Sequence, residues 1–509
     1  MDFWIVLESG FYVLLLFASF LVVFYLMAVH RTKYWARRKI AGPSSRPFFG
    51  NMTENGHIAL SQIQKWTQQF GKVYGVQEGW INVLVISDLE LLHQIFTAQF
   101  DNFVGRKHPP LKEDVDSAPR IHVFDARGDR WKKLRRIALT ALSTNIKHFL
   151  PLLDASARSL LCAIEESFGQ NSVDSSSEIC TTNIHKHLQA MSTEILTRIA
   201  LGQRDERDAS HMPIVPAEYL ATTEETFNAH RKSGGGRLMN ILNLIAYMIP
   251  CVAPLWRTIA DFVIRWIGGR HKSYRGQFPS LCEKFGRKID IRNLERKWEL
   301  DEVFYEEVMK TIGIDTVTDV LACIFHELSN NSEVQRQVRA EIYDICGGEI
   351  DQKPSYEQLH AMRYPDAVIK ETLRLFPLVA FASSRTCCNT TKIGSYTIEK
   401  GTTVQADVFS IHRDPHIFGP DPDSFRPERW LNENGEDDAK QRRLSWMGFG
   451  TGPRTCVGMR FAYMEMKIAL IYLVRKFKIL PNTEKSVLKL IGSSVLAPEA
   501  VFVQLQRYS

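Results

Sequence analysis

From Phe11 to Val29 the chain runs apolar for 19 residues, with Ser19 as its main polar member. A helix of that length, at about 1.5 Å per residue, nearly spans the hydrocarbon core of a bilayer. Asp2 and Glu8 precede it, and His30, Arg31, Lys33, Arg37, Arg38 and Lys39 follow. This charge asymmetry predicts a cytosolic basic end and a short N-terminus that crosses. A cleaved signal peptide carries its basic residues first and a shorter apolar region, so an uncleaved signal-anchor is the expectation. Further on, the β-branched run Val83 to Ile86 predicts a short strand paired with the residues before it. From Gly128 helical periodicity dominates. Ser332 and Gln335 have capping-box spacing, and Val334, Val338, Ile342 and Ile345 form one apolar stripe of a surface helix. Pro365 opens another helix and Pro377 stops it. Lys392 to Val404 alternates with turn residues like small antiparallel strands. Leu238 to Ile267 is apolar again, but Asn240, Asn243, Pro250 and Pro254 interrupt it, which argues against a second span.

Composition narrows the class. No linker, repeat or low-complexity tract divides residues 40 to 509, so one large, mainly helical domain is the simplest organisation. A 45% hydrophobic content supplies a large core. The formal charge of +6 gives no argument for nucleic acid; it suits an anionic membrane surface or an acidic partner. The nine cysteines are scattered and odd in number, which points to a reducing compartment rather than a disulfide framework.

The most informative stretch is Phe449-Gly450-Thr451-Gly452-Pro453-Arg454-Thr455-Cys456-Val457-Gly458, followed by a helix from Met459. Its glycines let the backbone pass close to something flat. Cys456 has no second Cys or His at metal-finger spacing, which argues against zinc. The N-terminus of the following helix favours thiolate at this cysteine. A lone thiolate beside an arginine suits haem iron, where its electron density promotes O–O cleavage. The plain alternative is a buried free cysteine beside a Gly-rich turn.

With these residues the chain resembles the cytochrome P-450 superfamily of haem-thiolate monooxygenases, microsomal type, in the branch that includes thromboxane synthase. Three further motifs carry the resemblance in the family's order, over roughly residue 40 to the end: Glu371-Thr372-Leu373-Arg374, Phe425-Arg426-Pro427-Glu428-Arg429-Trp430, and Trp131-Lys132-Lys133-Leu134-Arg135. The resemblance implies a mainly α fold with small antiparallel β-sheets. One N-terminal transmembrane segment (1–30) and a basic linker or hinge (31–50) would precede a single catalytic domain (51–509). It implies haem b with Cys456 as axial ligand and Phe449 beside it. Arg454, Trp131, Arg135 and Arg385 are the candidates for the haem propionates, because arginine offers a carboxylate a bidentate fork; a surface arginine is the alternative for Arg385. Glu371 and Arg374 share one helix face and alone read as a solvated pair. In the family they join the arginine corresponding to Arg429 in a buried ionic cluster that holds the cysteine loop. Lys132, Lys133, Arg136, Arg442, Arg443 and Arg460 form either a docking face for an acidic NADPH-dependent flavoprotein reductase or an ordinary solvated face. Residues 238–267 are either core helices or a part that dips into the membrane. The implied place is the endoplasmic reticulum membrane, single-pass, with a cytosolic catalytic domain.

The family's oxygen-activating helix is matched best by Ile312-Gly313-Ile314-Asp315-Thr316-Val317. The resemblance implies that Gly313 would open a gap in the helix wall, that Thr316 would place a hydroxyl where oxygen is activated, and that Asp315 would relay protons inward. Two departures stand out. Ile312 replaces a small residue, and Glu306, Glu307 and Lys310 occupy a usually apolar stretch. Asp315 and Thr316 favour oxygen-dependent monooxygenation; a haem-thiolate isomerase or dehydratase acting on a peroxide, and a non-catalytic haem binder, are the alternatives. The expected pocket segments, 107–124, 312–316, 378–381 and the tail near Val495, are largely apolar and predict a lipophilic small-molecule substrate.

Overall fold

The computed structural model describes residues 2–53, 58–111, 115–116, 123–140, 142, 146–171, 179–200, 236–267, 314–349, 352–431, 436–482, 487–492 and 495–508. In chain order the longer helices are α1 (Asp2–Thr32), α2 (Leu60–Phe70), α3 (Gly128–Leu139), α4 (Leu150–Asn171), α5 (Ile184–Ala200), α6 (Gly236–Met248), α7 (Ala253–Ile267), α8 (Ile314–Asn330), α9 (Ser332–Cys346), α10 (Tyr364–Leu375) and α11 (Met459–Lys476). The strands are β1 (Val73–Glu78), β2 (Ile81–Ile86), β3 (Ile179–Asn183), β4 (Ser384–Thr386), β5 (Thr391–Ile393), β6 (Tyr396–Ile398), β7 (Thr403–Ala406), β8 (Phe477–Pro481), β9 (Leu490–Ile491), β10 (Ala497–Pro498) and β11 (Phe502–Arg507). A mainly helical chain with small, largely antiparallel sheets is therefore what the periodicity predicted. The chain divides into two compact units, residues 1–113, 236–267 and 384–407, and residues 114–235, 268–383 and 408–509.

The first unit is built on a four-stranded sheet in the order β1-β2-β7-β4, with β2 and β7 parallel. The hairpin expected around Val83–Ile86 is present, joined through Gly79 and Trp80. Gly79 has φ +57°, and a Cβ there would collide with the Tyr247 carbonyl, so only glycine fits this turn. Met52, Tyr74, Val76, Val83, Val85 and Tyr247 form its core. Residues Phe11–Thr32 of α1 are long and apolar enough to cross a membrane. Ser19 is accommodated by donating its hydroxyl to the Leu15 carbonyl, 2.8 Å away. Within residues 31–50, the expected basic linker or hinge, some side chains are anchored on the sheet. Tyr34, Trp35 and Ile40 are buried, and the Trp35 indole donates to Val76 O at 2.9 Å. Phe24 lies 5.5 Å from the Trp80 ring, with Arg31 stacked on the same indole. The 238–267 segment forms α6 and α7, with Leu242 and Ala246 buried and Ile241, Leu255 and Phe262 exposed.

The second unit holds the large core. α8 and α11 run through it, with Leu321 to Phe325 and Ile468 to Val474 almost wholly inaccessible. A three-stranded antiparallel sheet, β3-β11-β8, closes one side. The stripe expected on α9 is buried at Val334, Val338 and Ile342, with Ile345 packed against its edge. The capping box is not formed there. Asn331 is the N-cap, which moves Gln335 one place too far along. Its buried amide instead binds Leu328 O, Ile479 O and Ile479 N. A capping box does form at Ser355 and Gln358. Pro365 sits at the start of α10, which ends at Leu375, as expected.

Candidate active site

The cysteine loop is a chain of tight turns. Met447 O accepts from Gly450 N at 2.9 Å, and Phe449 O accepts from Cys456 N at 2.9 Å. Between them a single 3-10 turn, Gly452–Arg454, is fixed by the Thr455 hydroxyl donating to Gly452 O at 2.6 Å. Gly450 and Gly452 have φ of +76° and +70°, a region side chains avoid. α11 begins with Gly458 as its N-cap, two residues after the thiol. Phe449 packs edge-on to Trp446 and 5.4 Å from Tyr463. Cys456 itself is exposed.

Three expected residues of α3 and the loop come together here. The Arg454 guanidinium is buried, lies 4.6 Å over the Trp131 ring, and donates to Phe124 O at 3.1 Å and to Ala126 O. Arg135 donates to Thr455 O at 2.8 Å. Burial lowers its pKa, while the negative charge of Cys456 acts in the opposite direction. Arg385 belongs to the other unit, on β4, with its guanidinium 4.7 Å from the Phe96 ring.

Glu371, Arg374 and Arg429 form the buried cluster. Glu371 accepts two bonds from Arg374 at 2.8 Å, one from Arg429 Nε at 3.0 Å, one from Trp430 Nε1 at 2.9 Å and one from Arg426 N at 3.0 Å. The arginines spend their remaining donors on the carbonyls of Phe418, Asp421, His412 and Ser424. Sequence reasoning missed His412, which joins this cluster to the cysteine loop. Its Nδ1–H donates to Arg374 O at 3.1 Å and its Nε2 accepts from Met447 N at 2.9 Å. Burial holds this imidazole neutral, its pKa pushed down to about 3. No periodicity or motif spacing marks such a residue. Trp446 was missed too; its indole donates to Lys370 O at 3.1 Å.

Thr316 stands half-buried in the first turn of α8. Glu306, Glu307, Lys310, Ile312 and Gly313 lie outside the described residues, as does the side chain of Asp315. Of the expected pocket segments, Phe124 and Phe381 meet with rings 5.6 Å apart, and Leu496 N donates to Leu378 O at 2.8 Å. An open cleft of about 440 Å³ is lined by Trp131, Lys132, Arg135, Arg136 and Arg460.

This set fits a planar iron group with carboxylate arms. The lone thiol is exposed, a Cβ added at Gly450 would meet open space, and two guanidinium groups flank one indole. Comparison with known proteins agrees. The cytochrome P-450 family model matches residues 40–504, so the chain belongs to the cytochrome P-450 family. It is 31% identical to the cytochrome P-450 protein CYP13A1 of Caenorhabditis elegans, over 96% of this chain and 98% of the relative. CYP13A10 and CYP13A2 of the same organism are 31% and 32% identical, each over 93% of this chain and 95% and 94% of their own lengths. The chain is thus a haem-thiolate enzyme of the monooxygenase class, served by a redox partner and molecular oxygen. These three relatives carry no assignment to the thromboxane synthase branch.

Proposed function

We propose that the chain is a membrane-anchored monooxygenase that inserts one oxygen atom into a lipophilic small molecule, with Cys456 as the axial iron ligand and electrons from NADPH through a flavoprotein reductase. Haem, when bound, supplies oxygen binding and O–O cleavage. The chain's own residues do the rest. The observation that carries the reading is the exposed Cys456 thiol on a loop whose neighbouring backbone is tied down. Arg135 and Arg454, with Trp131, supply cationic and indole donors for the propionates, and Arg385 is a further candidate. Thr316 holds a proton donor at the oxygen side, Asp315 feeds it, and Ile312 restricts what reaches the iron. Phe124, Leu378 and Phe381 supply apolar lining. The cleft of Lys132, Arg136 and Arg460 faces an acidic reductase.

α1 crosses the endoplasmic reticulum membrane and leaves the enzyme domain on the cytosolic side. Asn389 is exposed within an Asn-Thr-Thr sequon, so glycan attached there would place the domain in the lumen instead. The decisive experiment is the reduced carbon monoxide spectrum. The parent shows the red-shifted Soret band of thiolate ligation, and Cys456→Ala loses it. NADPH-dependent turnover with reductase separates monooxygenation from peroxide rearrangement, which needs no NADPH. Thr316→Ala keeps the spectrum but diverts reduced oxygen to peroxide; unchanged coupling would refute the role of Thr316.

A further inference from the structure

We propose that His185 is a positioning residue for the oxygen-side turn of α8, acting through Asp319. This rests on the reading of Thr316 given above. His185 lies at the start of α5, and its Nε2–H donates to Asp319 Oδ1 at 2.8 Å. The two side chains are 3% and 1% exposed. Asp319 sits one helical turn beyond Thr316, with Thr318 beside it fully buried.

The surroundings make this pair unusual. Val320, Leu321, Ala322, Cys323 and Ile324 are all core residues. Apolar packing alone would hold α8 to α5, but it is non-directional and tolerates small slides and rotations. A buried polar pair contributes less stability than well-packed apolar residues of the same volume. What it adds is direction, because a hydrogen bond holds only within a narrow range of distance and angle. α5 carries a second such tie two turns further on. The Ser192 hydroxyl donates to Glu465 Oε1 at 2.6 Å, and Glu465 is on α11, the helix that begins just after Cys456. α5 is thus a strut with one directional bond to the helix of Thr316 and another to the helix that follows Cys456. It fixes the register of both against a common reference.

The test separates position from stability. The double substitution His185→Phe with Asp319→Leu replaces the pair by apolar side chains, so the melting temperature should hold or rise. Hydrogen exchange over residues 314–322 should nonetheless quicken by about five-fold or more, because the directional tie is gone. With reductase and NADPH, the peroxide released per NADPH should rise as it does in Thr316→Ala. Asp319→Asn keeps an acceptor for His185 and should restore parental exchange and peroxide yield. Parental protection or parental peroxide yield in the double variant overturns the proposal. If Thr316→Ala alone raises peroxide, the positioning role fails and the Thr316 reading stands; if neither variant does, both fail.

Discussion

The ionic cluster and the cysteine loop adjoin through His412, and they are built on opposite plans. At Glu371 the carboxylate oxygens are saturated by Arg374, Arg429, Trp430 and Arg426 N, and both guanidinium groups turn their other donors to backbone carbonyls. At Cys456 the backbone N–H is held by Phe449 O, yet the side chain is left exposed. A buried charge needs every partner to hold its place. A ligand for an external group must keep one valence open. Saturation therefore marks the scaffold and openness marks the chemistry, although both sets are polar and both belong to family motifs.

The sharpest way to break this contrast is Cys456→Ala. It should abolish the thiolate Soret band and all turnover while leaving the protein folded, since the side chain is exposed rather than part of the core. A fold lost with the thiol would place Cys456 among the scaffold. Glu371→Ala should do the reverse, stranding two buried guanidinium groups at a cost of about 3–5 kcal/mol. Urea unfolding of the holoenzyme reads it, and a loss under about 1 kcal/mol would mean that the cluster is solvated.

Glu465 sharpens the comparison with a carboxylic acid that has one side-chain partner instead of many. Burial pushes its pKa up to about 7, and only the Ser192 hydroxyl opposes this. The folded form therefore binds a proton between roughly pH 4.5 and 7 that the unfolded chain has lost, and stability from this group is lost as pH rises through that window. Glu465→Gln should match the parent at pH 4.5 and exceed it at pH 8 by up to about 3 kcal/mol. Equal melting temperatures at both pH values would show that the carboxylate finds a second partner. Glu327, also raised to about 7 by burial and then by Glu371, contributes to the parent's slope and is unaffected by this variant.

Much of this was legible in the chain, for reasons that differ by element. The hairpin of β1 and β2, the α9 stripe and the bounds of α10 follow from local periodicity and from proline, which act over a few residues. Cys456, Glu371, Arg374 and Arg429 were legible because motif spacing preserves their order. His412, Trp446 and the pair His185 and Asp319 were not, since their partners lie 35 to 134 residues away and nothing local records the contact. In residues 31–50 the basic charge is visible in sequence, while the burial of Tyr34 and Trp35 is not. The capping box at Ser332 failed by a single position, the usual margin of a helix start.

The smallest effect belongs to Arg135, which stands on the border between the two plans. Its guanidinium is only partly buried, where those of the scaffold arginines are fully so, and it touches the loop at the residue before the ligand, donating to Thr455 O at 2.8 Å. Arg135→Met keeps the stem against Trp131 and removes the bond and the charge. A charge-assisted bond of this kind contributes about 1.5–3 kcal/mol when buried, and less at the half-exposed edge, so about 1 kcal/mol is expected. The loss should fall on the loop alone. Amide exchange over residues 450–458 should quicken by about five-fold, matching that energy, while exchange at the Glu371 cluster stays unchanged. Haem should also dissociate faster if the guanidinium holds a propionate. Faster exchange without faster dissociation would assign Arg135 to the scaffold, and faster dissociation with unchanged exchange would assign it to the haem.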